Sequence, residues 1–461
     1  MHSQSCRFLL ILAVQATFWT IPLCAQSATF NVRAYGATGN GHTNDAQAIQ
    51  AAEEAAERAG GGRVYLPAGR YLVSDAILIG SNIDFYGDGN QTVLIRTDHP
   101  SNVHLYQPGE DCAAARPPNT RQRFVLTNRH YNCVDRNIHL HDFEVDGSQV
   151  TSVPNSGMLC FSGLQDSTVE RITVLNSPQD SMFFRNGGDH LIVEDNTILM
   201  HNRLWGNGEG INIEMHKEGH LWGGVTIRNN TIVTAASNFC TAALDRACSS
   251  DADCSGLQPP TCGHGASTVS AIGVTWVDGP HAPSLVITGN HIWVGNHHYG
   301  IICNGCSDTT ISGNVILPAT MRGIAVSGAF TGISSYATPA GQPQNMTIEN
   351  NIIEGTERPD DGAAIQVTDA AARSDRVIVQ GNVIAHKNSA TALVVVRGWD
   401  HVDLSGNTLC GAPRNAVRLG APTLPVGHVH QSGNVIAPAG KALPQACSNL
   451  PGPSPAGRGL Q

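Results

Sequence analysis

One seven-residue phrase returns along this chain: IVEDNTI, TIRNNTI, VITGNHI, TISGNVI, TIENNII, IVQGNVI, DLSGNTL and HQSGNVI. Its Asn falls at 196, 230, 290, 314, 351, 382, 407 and 434, with spacings of 24 to 37 residues and one gap of 60. Repetition on that scale means stacked units, each unable to bury its apolar face alone. Each copy reads as a short β-run ending at Asn, a residue that tolerates left-handed backbone and bonds its own turn. A second short run precedes most copies: SMFFRNG, GINIEMH, AIGVTWV, GIICNGC, GIAVSGA, AAIQVTD, ALVVVRG and AVRLGAP.

Two or three short strands per unit, with no room for helices and no two-residue hairpin signals, predict the coils of a parallel β-helix. A propeller would need blades of about 40 residues with regular hairpins. The expected fold is therefore all-β: a single-stranded right-handed parallel β-helix whose equivalent residues stack ~4.8 Å apart. Residues 30–95 predict a strand, a Gly-rich turn, an Ala-rich helix and a strand ending in a Pro-Gly turn. Asn44 and Gln47 have capping-box spacing, and Gly60 to Gly62 stop the helix. That N-terminal helix would cap the open first coil, whose apolar interior and unpaired edge would otherwise meet water.

The opening 25 residues, with Arg7 and an apolar run from Phe8 to Leu23, have the build of a secretory signal peptide. The expected organisation is then signal peptide 1–25, one β-helix domain 28–447 (cap and first coils 28–95, Cys-rich loop insertion 240–262) and a disordered tail 448–461. No other segment approaches the ~20 apolar residues of a membrane span. Localisation is expected to be secreted, extracellular or periplasmic, as a monomer. A formal charge of -10 excludes a nucleic-acid partner by repulsion. In an oxidising compartment the cysteines should pair: Cys112 with Cys133, Cys410 with Cys447, and Cys240, Cys248, Cys254 and Cys262 within the loop. Eleven cysteines follow the leader, so one thiol is left over. HHYGIICNGC lacks the second ligand pair a zinc site needs.

The phrase AYGATGNGHTNDAQAIQAA followed by GGGRVYLPAGRYLV resembles the opening of the pectate-lyase-like superfamily, in the group of rhamnogalacturonases, polygalacturonases and uronan epimerases. With the Asn-bearing units the resemblance covers roughly residues 28 to 440. It implies a polysaccharide substrate and leaves the reaction open, because that superfamily contains hydrolases, lyases, epimerases and phage tailspikes.

Columns along the solenoid locate a site. Alternation in GINIE sends Ile211 and Ile213 inward and Asn212 and Glu214 outward, with His216 after them. The Asn212 column is expected to read Leu159, Phe183, Asn212, Gly273, Ile302, Ala325, Gln366. The Glu214 column reads Phe161, Arg185, Glu214, Thr275, Asn304, Ser327, Thr368, which turns Cys160 and Cys303 inward. The turn before each strand gives Ser156, Asp180, Glu209, Ser270, Tyr299, Arg322, Ala363, Thr391 and Asn415. Asp180 and Glu209 stand on consecutive rungs, close enough to share a proton. Such a pair suits glycoside hydrolysis, one carboxyl protonating the leaving oxygen and the other attacking or activating water. Arg185, Asn212, Glu214, His216, Lys217, Tyr299 and Arg322 are the candidate substrate contacts.

Compared with the polygalacturonases, Pro178-Gln179-Asp180-Ser181 keeps one Asp, and Gly208-Glu209-Gly210 replaces a paired Asp with Glu. Gly263-His264-Gly265 lies in the Cys-rich loop, and Tyr299-Gly300-Ile301-Ile302 stands where Arg-Ile-Lys would be. A lyase or C5-epimerase would instead use Lys217, His216, Arg185, Tyr299 or Arg322 to abstract a proton beside a uronate carboxylate. No cofactor is required by the hydrolase reading, and Ca²⁺ on Asp180, Glu209 and Glu214 is the metal alternative. A non-catalytic glycan-binding surface protein is the third class.

Overall fold

A computed structural model of the chain describes residues 28–98, 101–103, 110–112, 118–122, 124–150, 157–200, 207–216, 224–234, 238–240, 243–248, 252, 255–256, 262–263, 268–277, 284–294, 299–317, 322–327, 344–354, 363–368, 374–385, 393–412, 416–421, 425–438 and 445–448. The expected leader and most of the tail lie outside them. So do His201, Arg203, Trp205, Lys217, Cys254, His264, His297 and His298.

Three parallel sheets wind around one apolar core, and every strand pairing within them is parallel. The first sheet carries Leu159–Ser162, Met182–Arg185, Ile211–Glu214, Ile272–Thr275, Ile301–Asn304 and Ile324–Ser327 on successive rungs. The second begins with Thr29–Asn31 beneath Arg63–Tyr65 and ends with His428–Ser432. The third begins with Asn40–Asn44 and ends with Val435–Pro438. The molecule is a right-handed parallel β-helix, the hand that parallel crossovers adopt almost without exception. Alternate residues enter the core: Phe184, Ile211, Ile213, Ile272, Val274, Ile301 and Ile324 are essentially unexposed.

The corner between the second and third sheets explains the repeated phrase. Asn196, Asn230, Asn290, Asn314, Asn351, Asn382 and Asn407 are buried and form a ladder that ends on Asn434. Asn290 shows the pattern: its Nδ2 donates to Asn314 Oδ1 (2.9 Å) and to the Ile227 carbonyl (3.0 Å), while its Oδ1 accepts from the backbone N–H and Nδ2 of Asn230 (3.0 Å each). Both amide hydrogens and both lone pairs are used, as burial demands. The left-handed residue is not this Asn but the one before it: Asp195, Asn229, Gly289, Gly313, Asn350, Gly381, Gly406 and Gly433 all have φ between 54° and 64°. The expectation that the repeated Asn itself turns the chain is corrected accordingly.

The Ala-rich segment forms a helix, Ala46–Arg58, with Ile49, Ala52 and Ala56 buried against the first coil. Its N-cap is Asp45 rather than Asn44, and the Asp45 carboxylate gives no side-chain cap. It accepts instead from the backbone N–H groups of Thr38 (2.7 Å) and Gly39 (3.0 Å), bracing the Gly-rich turn. Gly60, at φ 89°, follows the helix end as expected.

Disulfides join Cys112 to Cys133 and Cys410 to Cys447, as the spacing predicts, and a third joins Cys303 to Cys306. That third bridge consumes both thiols of HHYGIICNGC. In the Cys-rich insertion, strand pairing sets Cys240 opposite Cys262. A short helix, Gln445–Ser448, extends the ordered chain one residue into the expected tail. Among the described residues no helix is long and apolar enough to cross a membrane.

One register expectation fails. On the rung of Leu159–Ser162 the partners of Phe183 and Arg185 are Cys160 and Ser162, so Leu159 and Phe161 point inward. Phe161 stacks on Phe184 in the core, with ring centroids 6.4 Å apart. Cys160 therefore faces outward. It is nonetheless fully buried, because Phe124 and Tyr131 lie over it, and it is the free thiol among the described residues. Two apolar residues, Leu159 and Phe161, flank Cys160 at the spacing that enters the core, and they set the phase of the rung.

The ladder makes a quantitative claim. Asn290→Ala removes one amide and leaves several buried partners unmet, each costing about 1–3 kcal/mol. Urea unfolding should show a loss of about 3 kcal/mol or more, with the final state still β-helical by circular dichroism.

Candidate active site

The outer face of the first sheet and the turn leading into it bring Asp180, Arg185, Glu209, Asn212 and Glu214 together. Asp180 and Glu209 occupy neighbouring rungs. The backbone N–H of Glu209 donates to Asp180 Oδ1 at 2.8 Å, and the N–H of Ser181 donates to the Glu209 carbonyl at 2.9 Å. The Asp180 carbonyl in turn accepts from the Met158 N–H (3.1 Å) and Ser177 Oγ (2.8 Å), fixing the turn. Both acidic residues retain intermediate exposure, an edge open to solvent.

Burial pushes the Asp180 carboxyl up to about 7, against the lowering effect of the Glu209 N–H and the Asn212 side chain, and with Glu214 raising it further. Burial raises Glu209 as well, and the Asp180 charge adds to it. Ser270 Oγ faces Glu209 and opposes the rise, yet neither that hydroxyl nor Glu209 Oε2 has a partner of full hydrogen-bond geometry. A buried carboxyl oxygen without a donor favours the protonated form. Two such acids on adjacent rungs are coupled, so that a charge on either one raises the proton affinity of the other.

Gly273 makes room for this arrangement. It stands one rung beyond Asn212, and a Cβ there would fall directly on the Glu209 carboxylate. Gly208 is equally constrained, because a Cβ would meet the Gln179 backbone at 2.7 Å. Arg185 pairs in register with Glu214. Burial suppresses the ionisation of the Tyr131 phenol, with Cys160 and Glu214 acting in the same direction and nearby Arg185 opposing them.

Tyr131 is the site residue that the periodic reading missed. It lies in no repeat, but on a short loop pinned by the Cys112–Cys133 bridge two residues away. An aromatic beside a cysteine expected to pair was the available signal. Of the other candidates, Tyr299 follows Glu209 and Ser270 in the turn column and is half-buried, and Arg322 follows Tyr299. His216 ends the strand of Glu214. Among the described residues no group of three or more His, Cys, Asp or Glu side chains could hold a metal ion.

Comparison with known proteins agrees with this architecture. The family model for rhamnogalacturonase A/epimerase, pectate lyase-like proteins matches residues 29–267. The chain belongs to that family. Alginate lyase 7 of Azotobacter vinelandii is 46% identical over 74 residues, which span 14% of this chain and 9% of that protein. The chain thus spans only a small part of the curated relatives it matches most strongly. Among solved structures, the Streptococcus pneumoniae surface adhesin PfbA aligns with a TM-score of 0.61 at 16% identity, covering 88% of this chain and 91% of the other. The family 28 exopolygalacturonase of Yersinia enterocolitica aligns at 0.53 and 14% identity, covering 91% and 80%. These two likenesses establish the fold.

The geometry has two consequences that can be measured. Gly273→Ala should displace the Glu209 carboxylate and lower turnover at least 100-fold, while the melting temperature shows that the coil survives. Asp180 carries a folded pKa near 7 against an ordinary carboxylate value of 3.8, so the folded state binds the extra proton. Its contribution favours folding below pH ~4 and is lost as pH rises through about 7. Asp180→Asn should therefore raise the melting temperature relative to wild type at pH 8.5 and give little gain at pH 4.

Proposed function

We propose that this chain is a secreted carbohydrate-active enzyme that cleaves a uronate-containing polysaccharide by hydrolysis, with Asp180 and Glu209 as its acid and base. The observation that carries this reading is the placement of two carboxyls with raised proton affinity on adjacent rungs, the backbone N–H of Glu209 bonded to the Asp180 carboxylate. Glu209, whose carboxyl is pushed up by burial and by the Asp180 charge and whose Oε2 lacks a hydrogen-bond donor, gives its proton to the glycosidic oxygen as the bond breaks. Asp180 is supported by the Glu209 N–H and the Asn212 amide, which favour its ionised form. It accepts the proton of an attacking water or attacks the anomeric carbon itself. Arg185 offers a fork for a substrate carboxylate.

A second reading has its own support. Arg185, near enough to the Tyr131 phenol to favour its ionisation, together with the local likeness to alginate lyase 7, fits proton abstraction beside a uronate carboxylate, as in a lyase or C5-epimerase. Here Arg185 would neutralise the carboxylate, and His216 or Lys217 would serve as base.

The decisive test incubates the mature protein with pectic, alginate, glycosaminoglycan and neutral polysaccharides, following reducing ends and the absorbance of unsaturated uronates together. Reducing ends without absorbance, abolished by Asp180→Asn and by Glu209→Gln with losses of about 10²–10⁴, are the expected result. Both signals rising together support the lyase. A change in uronate stereochemistry without cleavage supports the epimerase, and binding without reaction supports the glycan-binding alternative.

A further inference from the structure

The outer face of the first sheet is not equally open along its length. On the rung of Leu159–Ser162 it is roofed: Phe124 (8% exposed) and Tyr131 (4% exposed) lie over Cys160 (0%), with Phe183 and Ala76 packed against them. The Phe124 and Tyr131 rings stack with centroids 6.0 Å apart. The loop that delivers Tyr131 is fixed by the Cys112–Cys133 bridge, and below it Asn128 bonds the Ser162 backbone through both its amide groups (2.9 Å each). This is a wall held by covalent and hydrogen bonds. One rung further stands Phe183, beside Arg185, and the next carries Asn212 and Glu214. Further from the wall in the same direction the column continues as Gly273, Ile302, Ala325 and Gln366, of which the last three keep intermediate exposure.

The carboxyl pair thus stands close to a dead end. Asp180 precedes the rung next to the wall and Glu209 lies on the one after it. At ~4.8 Å per rung, the space between the wall and the carboxyl pair is no more than roughly 10 Å. A sugar residue in an extended polymer occupies about one rung of that length, so one or two residues fit on the walled side, while on the other side Ile302, Ala325 and Gln366 stay partly exposed along the column.

We propose that the Phe124–Tyr131 wall makes this a chain-end-directed enzyme that releases one or two sugar units per cleavage of an acidic polysaccharide. Arg185, beside Phe183 on the rung next to the wall, faces the terminal unit and sets its position. This inference rests on Asp180 and Glu209 being the cleaving pair, and it adds the mode of attack.

The experiment uses the full mature chain and the polymer on which it shows activity, recording solution viscosity against reducing ends and the size of the earliest products. The expected result is mono- or disaccharide from the first time point, with viscosity falling slowly relative to reducing ends. Phe124→Ala, with folding verified by its melt, should shift the early products to trisaccharides and longer. Where that variant does not fold, Phe124→Leu should give a smaller shift in the same direction. Rapid viscosity loss with a broad ladder of early oligosaccharides in the wild type overturns the chain-end inference while leaving the acid–base pair standing. Unchanged mono- and disaccharide products in a folded Phe124 variant overturn the wall as their cause. Full activity in both Asp180→Asn and Glu209→Gln overturns the underlying reading instead.

Discussion

The buried asparagine ladder is the interaction on which the rest depends. A parallel solenoid must turn its chain three times per coil, and each turn threatens to bury backbone groups without partners. At the corner between the second and third sheets the side-chain amides replace them, each bonded to the next coil and to the backbone of a preceding one. The phase of every rung is thereby locked. Because the rungs are in phase, residues far apart in sequence, such as Asp180, Glu209, Ser270 and Tyr299, come to lie in one column.

On that column the chemistry follows from local crowding rather than from a dedicated motif. Asp180 and Glu209 are brought together by one backbone hydrogen bond and one rung of stacking. Gly273 yields the volume that the Glu209 carboxylate fills. The resulting desolvation raises the proton affinity of both acids and brings Asp180 to about 7, the range in which a carboxyl can give or take a proton efficiently. A second layer, delivered by a disulfide-pinned loop outside the repeats, adds Tyr131 and roofs the neighbouring rung.

Much of this was legible in the chain. The spacing of the Asn copies gave the solenoid, and the alternation in GINIE gave the outward direction of Asn212 and Glu214. Two cysteine pairs were readable from their isolation. What misled was local ambiguity. In MLCFSG several consecutive residues are apolar, so period alone cannot choose a face, and the register came out one residue wrong. Likewise the turn chemistry of Asn was assigned to the repeated residue when its predecessor adopts the left-handed backbone. Both errors share a cause: a short window shows which residue types are present but not which partner each will meet.

By itself, then, the sequence determined the parallel β-helix, the columns from the Met182 rung onward and the adjacency of Asp180 and Glu209, because these follow from a repeat and a two-residue alternation. Only the tertiary structure decided that Cys160 is outward yet buried, that Gly273 must be glycine, and that Tyr131 and Phe124 close one end of the groove. Those features arise where a loop folds back on a sheet, or where one coil presses on the next. Contacts of that kind depend on distances between residues that no periodicity along the chain encodes.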